Sequence, residues 1–370
     1  VKEDLTLEKR ISITPEIVKK YSSLGFSVNL EKNYAEHLGF TDEEYKNNGA
    51  NIFNTKKEVL EKSDIILSVN YPSSNEIGSI KDESIFIGQL DEKNNKDLIN
   101  NLTKKKIKIF SLTLLPRITR AQSMDVLSSQ ANLAGYKSVI DAAEQFGKAF
   151  PMMMTAAGRI NPAKVMILGV GVAGLQAIAT AKRLGAVVSA TDVRSATKEQ
   201  VESLGGKFIM VEDEESKKAE TSGGYAKEMS NEYKKKQSVL IAETIAKQDI
   251  VICTALIPGK TAPILVSEEM VNSMIKGSVI VDLAVESGGN CPLSKVDEIV
   301  NYKGVKVIGY SNVPGRVAKD ASSLYSKNIV NFLNLMINKD EKKINIDWND
   351  EIIKSVMLTH EGNVRLEQFK

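Results

Sequence analysis

The stretch Lys164–Asp192, KVMILGVGVAGLQAIATAKRLGAVVSATD, constrains the fold of this chain more than any other. Val165–Leu168 is a short continuous apolar run, the pattern of a strand buried on both faces of a parallel sheet. Gly169, Gly171 and Gly174 follow at once in GVGVAG, and Leu175–Leu184 then reads as a helix. Lys182 and Arg183 occupy its last turn and Gly185 stops it. Val187–Ala190 is a second buried strand, ending at Asp192. Strand, glycine turn, helix, strand and an acid about 20 residues on make up the dinucleotide fingerprint in full context. Gly169 allows the tight turn, Gly171 lets backbone approach a pyrophosphate, and Gly174 lets helix and strand pack closely. Val170, Val172 and Ala173 complete the cradle, whose N–H groups sit at the positive end of the helix dipole. Asp192 suits a ribose 2′-hydroxyl and repels a 2′-phosphate, which favours NAD over NADP. Arg194 is the counter-signal, because an arginine nearby can accommodate that phosphate.

The 370 residues are long enough for two domains with separate cores. A net charge of +2, with lysines scattered among acids, gives no reason to expect nucleic acid. No window approaches about 18 uninterrupted apolar residues, so no spanning helix is expected. Cys253 and Cys291 are few and far apart, which suits reduced thiols, and His37 and His360 give no zinc spacing and no Ser-His-Asp site. The start at Val1, without methionine or signal-like residues, fits a fragment or processed product.

The chain reads as alternating strands and helices. Pro15 opens a helix after Thr14, Gly25 ends it, and FSVNL, Ser63–Val69, Ser84–Gly88 and Lys106–Ser111 read as strands. The expected fold is α/β, with two Rossmann-like domains whose parallel sheets are separated by a nucleotide-binding cleft. Residues 1–125, joined by a helical return over 316–370, form the first; residues 126–315 form the second. Later strands of the second are Lys207–Val211, Ile250–Thr254, Ser278–Val281 and Val305–Gly309.

Two stretches invite a functional reading beside a bland one. EDEESKKAETSGGYAKEMSNEYKKKQS is either a solvated loop plus a charged helix, or a mobile lid over about 212–238 with a glycine hinge and Tyr225 at its tip. The polar cluster Arg117, Gln122 and Asp125, just before a helical stripe from Ser128 through Tyr136, is either helix capping and surface charge or a set of groups for a carboxamide and a ribose.

RITRAQSMDVLSSQANLAGY, FPMMMTAAGRINPAKVMILGVGVAGLQAIATAKRLGAVVSATDVR, KEQVESLGGKF and VIVDLAVESGGNCPLS together resemble the NAD(H)-binding domain of proton-translocating NAD(P) transhydrogenase, within the alanine dehydrogenase/transhydrogenase superfamily. The resemblance covers essentially the whole chain and is densest from Arg117 to Gly206. It implies that Arg117, Gln122 and Asp125 engage NAD(H) near the nicotinamide, that Ser128 and Tyr136 add contacts, and that Gly224 and Tyr225 belong to a mobile loop. By the same resemblance Thr254, Ala255 and Leu256 line the adenosine side, and Val193 and Arg194 accompany Asp192.

The rival on this fold is alanine dehydrogenase, which uses an Arg, a Lys and a His on a keto acid. Arg10 matches the Arg, whereas Ser68 and Gln89 stand at the other two positions. Neither replacement can hold a carboxylate by charge or shuttle a proton near neutral pH. The resemblance therefore implies a component that presents NADH for direct hydride transfer to NADP⁺ on a separate domain. It also implies a proton-translocating membrane domain, a homodimer, and a place beside a bacterial cytoplasmic, mitochondrial inner or equivalent organelle membrane. No metal is implied. An alanine-type dehydrogenase and a non-catalytic NAD-binding module remain open as alternatives. Whether partner domains share the polypeptide, which membrane is involved, and in which direction the reaction runs are open too. Family members carry a short strand before the position of Val1.

Overall fold

A computed structural model describes residues 1–90, 95–194, 196–211, 230–256, 260–338 and 340–365. Two compact units make up the chain, Val1–Gln130 with Gly315–Lys370, and Ala131–Pro314.

In the first unit α1 (Pro15–Ser23) starts with proline in its first turn, where a missing N–H costs nothing. β1 (Val28–Glu31) pairs in parallel with β2 (Ala50–Phe53) as a separate two-stranded sheet. Between them lies α2 (Asp42–Asn47), followed after β2 by α3 (Lys56–Lys62). Both helices open with full capping boxes, Thr41 with Glu44 and Thr55 with Glu58. β3 (Ile65–Leu67), β4 (Ile85–Gly88), α4 (Lys96–Lys104) and β5 (Lys108–Ser111) follow; the three strands are parallel neighbours. Leu67, Ile85, Ile87 and Phe110 enter one core cluster, and Ile66, Phe86 and Ile109 another, as period-two alternation in a doubly covered sheet requires.

α5 (Val126–Gln145) begins two residues before the expected stripe, and the hairpin β6 (Met153–Thr155)–β7 (Gly158–Ile160) follows it. The second unit is built on β8 (Lys164–Leu168), α6 (Val172–Arg183), β9 (Val187–Thr191), α7 (Thr197–Ser203), β10 (Lys207–Phe208), α8 (Asn231–Ile245) and β11 (Ile250–Cys253). After these come α9 (Glu268–Ser273), β12 (Val279–Asp282), β13 (Ile299–Tyr302) and β14 (Val305–Ile308). Sheet order is β10-β9-β8-β11-β12-β14-β13, parallel except for β13. Val165, Ile167, Ile250 and Ile252 face one core cluster while Met166, Leu168, Val251 and Cys253 face the other. That two-sided burial is why these strands read as unbroken apolar runs.

The chain winds outward from β8 through β9 and β10, then crosses back to place β11 on the other side of β8. The strand order therefore reverses between β8 and β11, at the kind of position where open α/β sheets bind ligands. After α10 (Ala318–Leu333) and the short pair β15 (Ile337–Asn338) and β16 (Lys343–Ile344), α11 (Glu351–Val356) leads into β17 (Met357–His360) and β18 (Asn363–Val364). β17 runs antiparallel to β5, so the tail extends the first unit's sheet. Phe332 of α10 packs on Phe110 with ring centroids 5.8 Å apart.

Candidate functional site

Leu168 and Cys253 are register partners, so the residues that follow them, Gly169 and Thr254, meet at the reversal point. Gly169 has φ +96°, a left-handed conformation that glycine adopts without steric cost. The Thr254 hydroxyl donates to the Gly169 carbonyl at 2.9 Å, tying the turn to the end of β11. A Cβ at Gly174 would lie 2.0 Å from the Gly169 carbonyl oxygen, so close packing of helix and strand demands glycine there. Gly171 behaves differently. It caps α6 in an extended conformation with φ −82°, and among the described residues nothing lies within 4 Å of the place where its Cβ would be. Gly171 and Val172 are exposed while Gly174 is buried. The fold itself does not require glycine at 171; open space in front of a helix N-terminus is what an approaching pyrophosphate requires.

Asp192 lies just beyond β9 and is held from two directions. Its Oδ2 accepts from the Val170 amide of the glycine turn at 2.8 Å. Its Oδ1 accepts from the Arg194 amide and Nε, both at 2.9 Å, and Arg194 Nη2 donates to Oδ2 at 2.9 Å. Nη2 also donates to the Val170 carbonyl at 3.2 Å. Val193, between the two, is exposed.

α5 reaches the turn through a glycine that sequence reasoning passed over. A Cβ at Gly135 would lie 2.0 Å from the Ala173 carbonyl oxygen, and Asn132 Nδ2 donates to Gln176 Oε1 at 3.3 Å. Gly135 thus lets α5 press against the start of α6, and the next residue, Tyr136, is exposed. No glycine spacing marks Gly135, because its partner is about 40 residues away. At the other end of α5, Asp125 accepts from the Ser128 amide at 2.9 Å and its hydroxyl at 2.6 Å. These are an N-cap's bonds, so the Asp125 carboxylate also starts the helix.

Gln122 is exposed on the 3-10 turn Thr119–Met124, and Arg117 is exposed just before it. Ala121 and Met124 are buried, while Asn328 and Asn331 of α10 both donate to the Ser123 carbonyl at 2.9 Å. Arg120 forks onto Asp350 at 2.6 and 3.0 Å. The segment carrying Gln122 is therefore anchored on both sides of that residue.

Beyond Thr254, Ala255 is fixed by Asn290, whose Nδ2 donates to the carbonyls of Ala255 at 2.9 Å and Pro263 at 2.8 Å. Asn290 is in turn placed by Asp282, buried at the end of β12. The Asp282 carboxylate accepts from the amides of Ala284, Asn290 and Cys291 and from the Ser294 hydroxyl at 2.6–3.1 Å. Leu256 is half-exposed. Gly224 and Tyr225 lie outside the described residues. The charged stretch after them is helical from Asn231; Ser230 caps it by accepting from the Tyr233 amide, and Gln237 joins the Val211 amide to the Thr191 hydroxyl.

The first unit holds the other polar cluster. Arg10 is buried and spends its guanidinium on this chain's own acceptors. Nε and Nη2 fork onto Glu8 at 2.9 and 2.7 Å, and Nη1 donates to Gln89 at 3.2 Å and Gln130 at 3.0 Å. Burial alone would lower the Arg10 pKa, but the Glu8 hydrogen bonds and charge hold it above its ordinary value. The Ser68 hydroxyl donates to Glu3 at 2.9 Å. Sequence reasoning placed Arg10, Ser68 and Gln89 together and missed Glu8. Among the described residues no group of three or more His, Cys, Asp or Glu could hold a metal ion, and no helix is long and apolar enough to cross a membrane.

Comparison with known proteins places the chain in a family. Residues 1–134 match the family described as alanine dehydrogenase/PNT, N-terminal domain, and residues 138–367 its C-terminal domain. An NAD(P) transhydrogenase alpha-subunit polypeptide of Rhodospirillum rubrum is 52% identical over 362 residues, covering 96% of this chain and 94% of the relative. The crystal structure of transhydrogenase from Sinorhizobium meliloti superposes with a TM-score of 0.90 at 48% identity, covering 98% of both chains. Alanine dehydrogenase of Methanococcus maripaludis is 30% identical, covering 99% of this chain and 93% of the relative.

Proposed function

From the premise that the chain belongs to the alanine dehydrogenase/PNT family, we propose that it is the NAD(H)-binding component of a proton-translocating NAD(P)⁺ transhydrogenase. It presents NADH for direct hydride transfer to NADP⁺ on a separate domain. The observation that carries this reading over an amino-acid dehydrogenase is Arg10. Its guanidinium, the charge that would bind an oxo-acid carboxylate, is already forked onto Glu8, and Ser68 and Gln89 supply neither charge nor proton.

The residues present fit a dinucleotide. The N–H groups of Gly171, Val172 and Ala173 at the start of α6 bind the pyrophosphate, while the Val170 amide holds Asp192 and Gly169 and Gly174 shape the turn. Asp192 takes the ribose, flanked by Val193 and Arg194, and Thr254, Ala255 and Leu256 line the adenosine side. Arg117, Gln122 and Asp125 orient the nicotinamide end with Ser128 and Tyr136. NADH supplies the hydride; the chain's residues supply position and a dry environment, and no acid or base is needed when both partners are nicotinamides. The proton-translocating membrane domain and the NADP(H)-binding domain are partners. We further propose a homodimer: the hairpin β6–β7 exposes Met153, Met154 and Ile160, and an isolated hairpin is at best marginally stable in water without a covering surface.

Calorimetry on the isolated chain tests the reading. NADH is expected to bind much more tightly than NADPH, and Asp192→Asn to cost about 1.5–3 kcal/mol of NADH affinity. Mixed with a purified NADP-binding domain of a transhydrogenase, the chain should reduce an NAD analogue with NADH through bound NADP. NADH oxidation by pyruvate and ammonia with the chain alone would refute the proposal.

A further inference from the structure

We propose that Arg194 is an affinity- and release-determining residue that competes with the dinucleotide's ribose for Asp192, an inference that rests on the NAD(H)-binding reading above. An ionised carboxylate offers about four lone-pair sites. Asp192 has all four engaged: Oδ1 by the Arg194 amide and Nε, Oδ2 by the Val170 amide and Arg194 Nη2, each at 2.8–2.9 Å. A ribose diol binds such a carboxylate by donating hydroxyl protons, and in this arrangement no acceptor position remains for them.

Two of the four donors are backbone amides, one in the glycine turn and one beside Asp192, and neither can leave without unmaking the turn. The guanidinium, which also donates to the Val170 carbonyl at 3.2 Å, is the pair borne on a side chain and so the one that can exchange. Its side chain is 23% exposed against 8% for Asp192, so it can swing into solvent while the carboxylate stays. The ribose-competent state is the one with the guanidinium displaced, and apparent affinity falls by the fraction of molecules in that state. As the ribose hydroxyls let go of the carboxylate, the guanidinium re-forms its fork in their place, which speeds release. A component that must exchange its nucleotide at every turnover gains from this.

The same fork bears on specificity. A 2′-phosphate could draw the guanidinium away from Asp192 through a bidentate pair. It would then face an uncompensated carboxylate held by the Val170 amide, so Arg194 does not convert the site to NADP. Arg194 therefore weakens NADH binding without rewarding the 2′-phosphate.

The test measures NADH affinity and dissociation rate for the full chain, Arg194→Gln, Asp192→Asn and the double variant. Arg194→Gln is expected to bind NADH about 3- to 10-fold more tightly and to release it correspondingly more slowly, the scale of one weakened charge-assisted contact. In the Asp192→Asn background the gain should disappear, because the competition needs the carboxylate; a merely structural arginine would act alike in both backgrounds. Arg194→Lys, which keeps the charge but cannot fork, should fall between, and it keeps the test open if Arg194→Gln fails to fold. Unchanged or weakened NADH binding in Arg194→Gln or Arg194→Lys, or an equal gain with and without Asp192, would overturn the proposal. A wild-type chain that binds no NADH would overturn the functional reading as well, whereas normal wild-type binding confines any failure to Arg194.

Discussion

Glu8–Arg10 in the first unit and Asp192–Arg194 in the second are the same local device. In each the acid stands two residues before the arginine, whose amide, Nε and Nη2 all reach the carboxylate within 2.7–2.9 Å. The surroundings differ. Glu8 and Arg10 are 2% and 7% exposed, and Arg10 Nη1 is engaged by Gln89 and Gln130. Asp192 and Arg194 are 8% and 23% exposed and sit where the strand order reverses, beside a turn whose Gly171 faces open space. The first pair cannot open without stranding a charge away from water; the second can. Burial, rather than the pair's own geometry, separates a clamp from an exchangeable contact.

The largest effect should come from breaking the sealed pair. Glu8→Ala leaves the Arg10 guanidinium buried without its counter-charge and is expected to cost about 3–5 kcal/mol in urea denaturation. Arg194→Gln, measured the same way, should cost far less. Equal losses for the two variants would erase the distinction between clamp and exchangeable pair.

A medium effect separates two glycines of the second region. Gly174→Ala forces a Cβ to within 2.0 Å of the Gly169 carbonyl oxygen and should cost about 1–3 kcal/mol of stability. Gly171→Ala meets nothing within 4 Å among the described residues and should unfold at the wild-type urea midpoint while losing NADH affinity. A stability loss at Gly171 matching that at Gly174 would mean the open space serves the fold and not a ligand.

The smallest effect sits at the exposed end of the series, where Arg120 and Asp350 are 51% and 16% exposed. The Arg120 hydrogen bond, outweighing slight burial, holds the Asp350 carboxyl below its ordinary value of 3.8. A depressed carboxyl contributes stability above its unfolded pKa and loses it as pH falls through the folded one. The difference in denaturation midpoint between wild type and Arg120→Gln should therefore be present at pH 7 and fade below about pH 4. A difference that persists unchanged into stronger acid would show that Arg120 acts through packing instead.

Much of the molecule is legible in local pattern because local pattern is where its causes lie. Unbroken apolar runs at Val165–Leu168 and Ile250–Cys253 follow from strands covered on both faces, and the helix stop at Gly185 and the opening at Pro15 follow from backbone chemistry. The polar stretch before Val239 divided less cleanly, since charged residues suit a solvated helix and a loop equally; Ser230 and Tyr233 decide for helix from Asn231. The edge strand β13, and β17 with its neighbour β18 at the edge of the first unit's sheet, run antiparallel beside parallel strands, and no period in their residues announces a direction.

Sequence alone determined the strand–turn–helix–strand unit around Gly169, the acid at Asp192, and the absence of lysine and histidine at positions 68 and 89. These rest on φ/ψ preferences, side-chain period and residue identity, all local properties. Only the tertiary structure decided that Glu8 consumes Arg10, that Gly135 is a contact of Ala173, that Asn290 carries Ala255, and that Arg194 covers Asp192. Each of these depends on which groups the fold removes from water and which it leaves within reach of it. Two acid–arginine pairs with the same spacing cannot reveal that difference until the rest of the chain has packed around them.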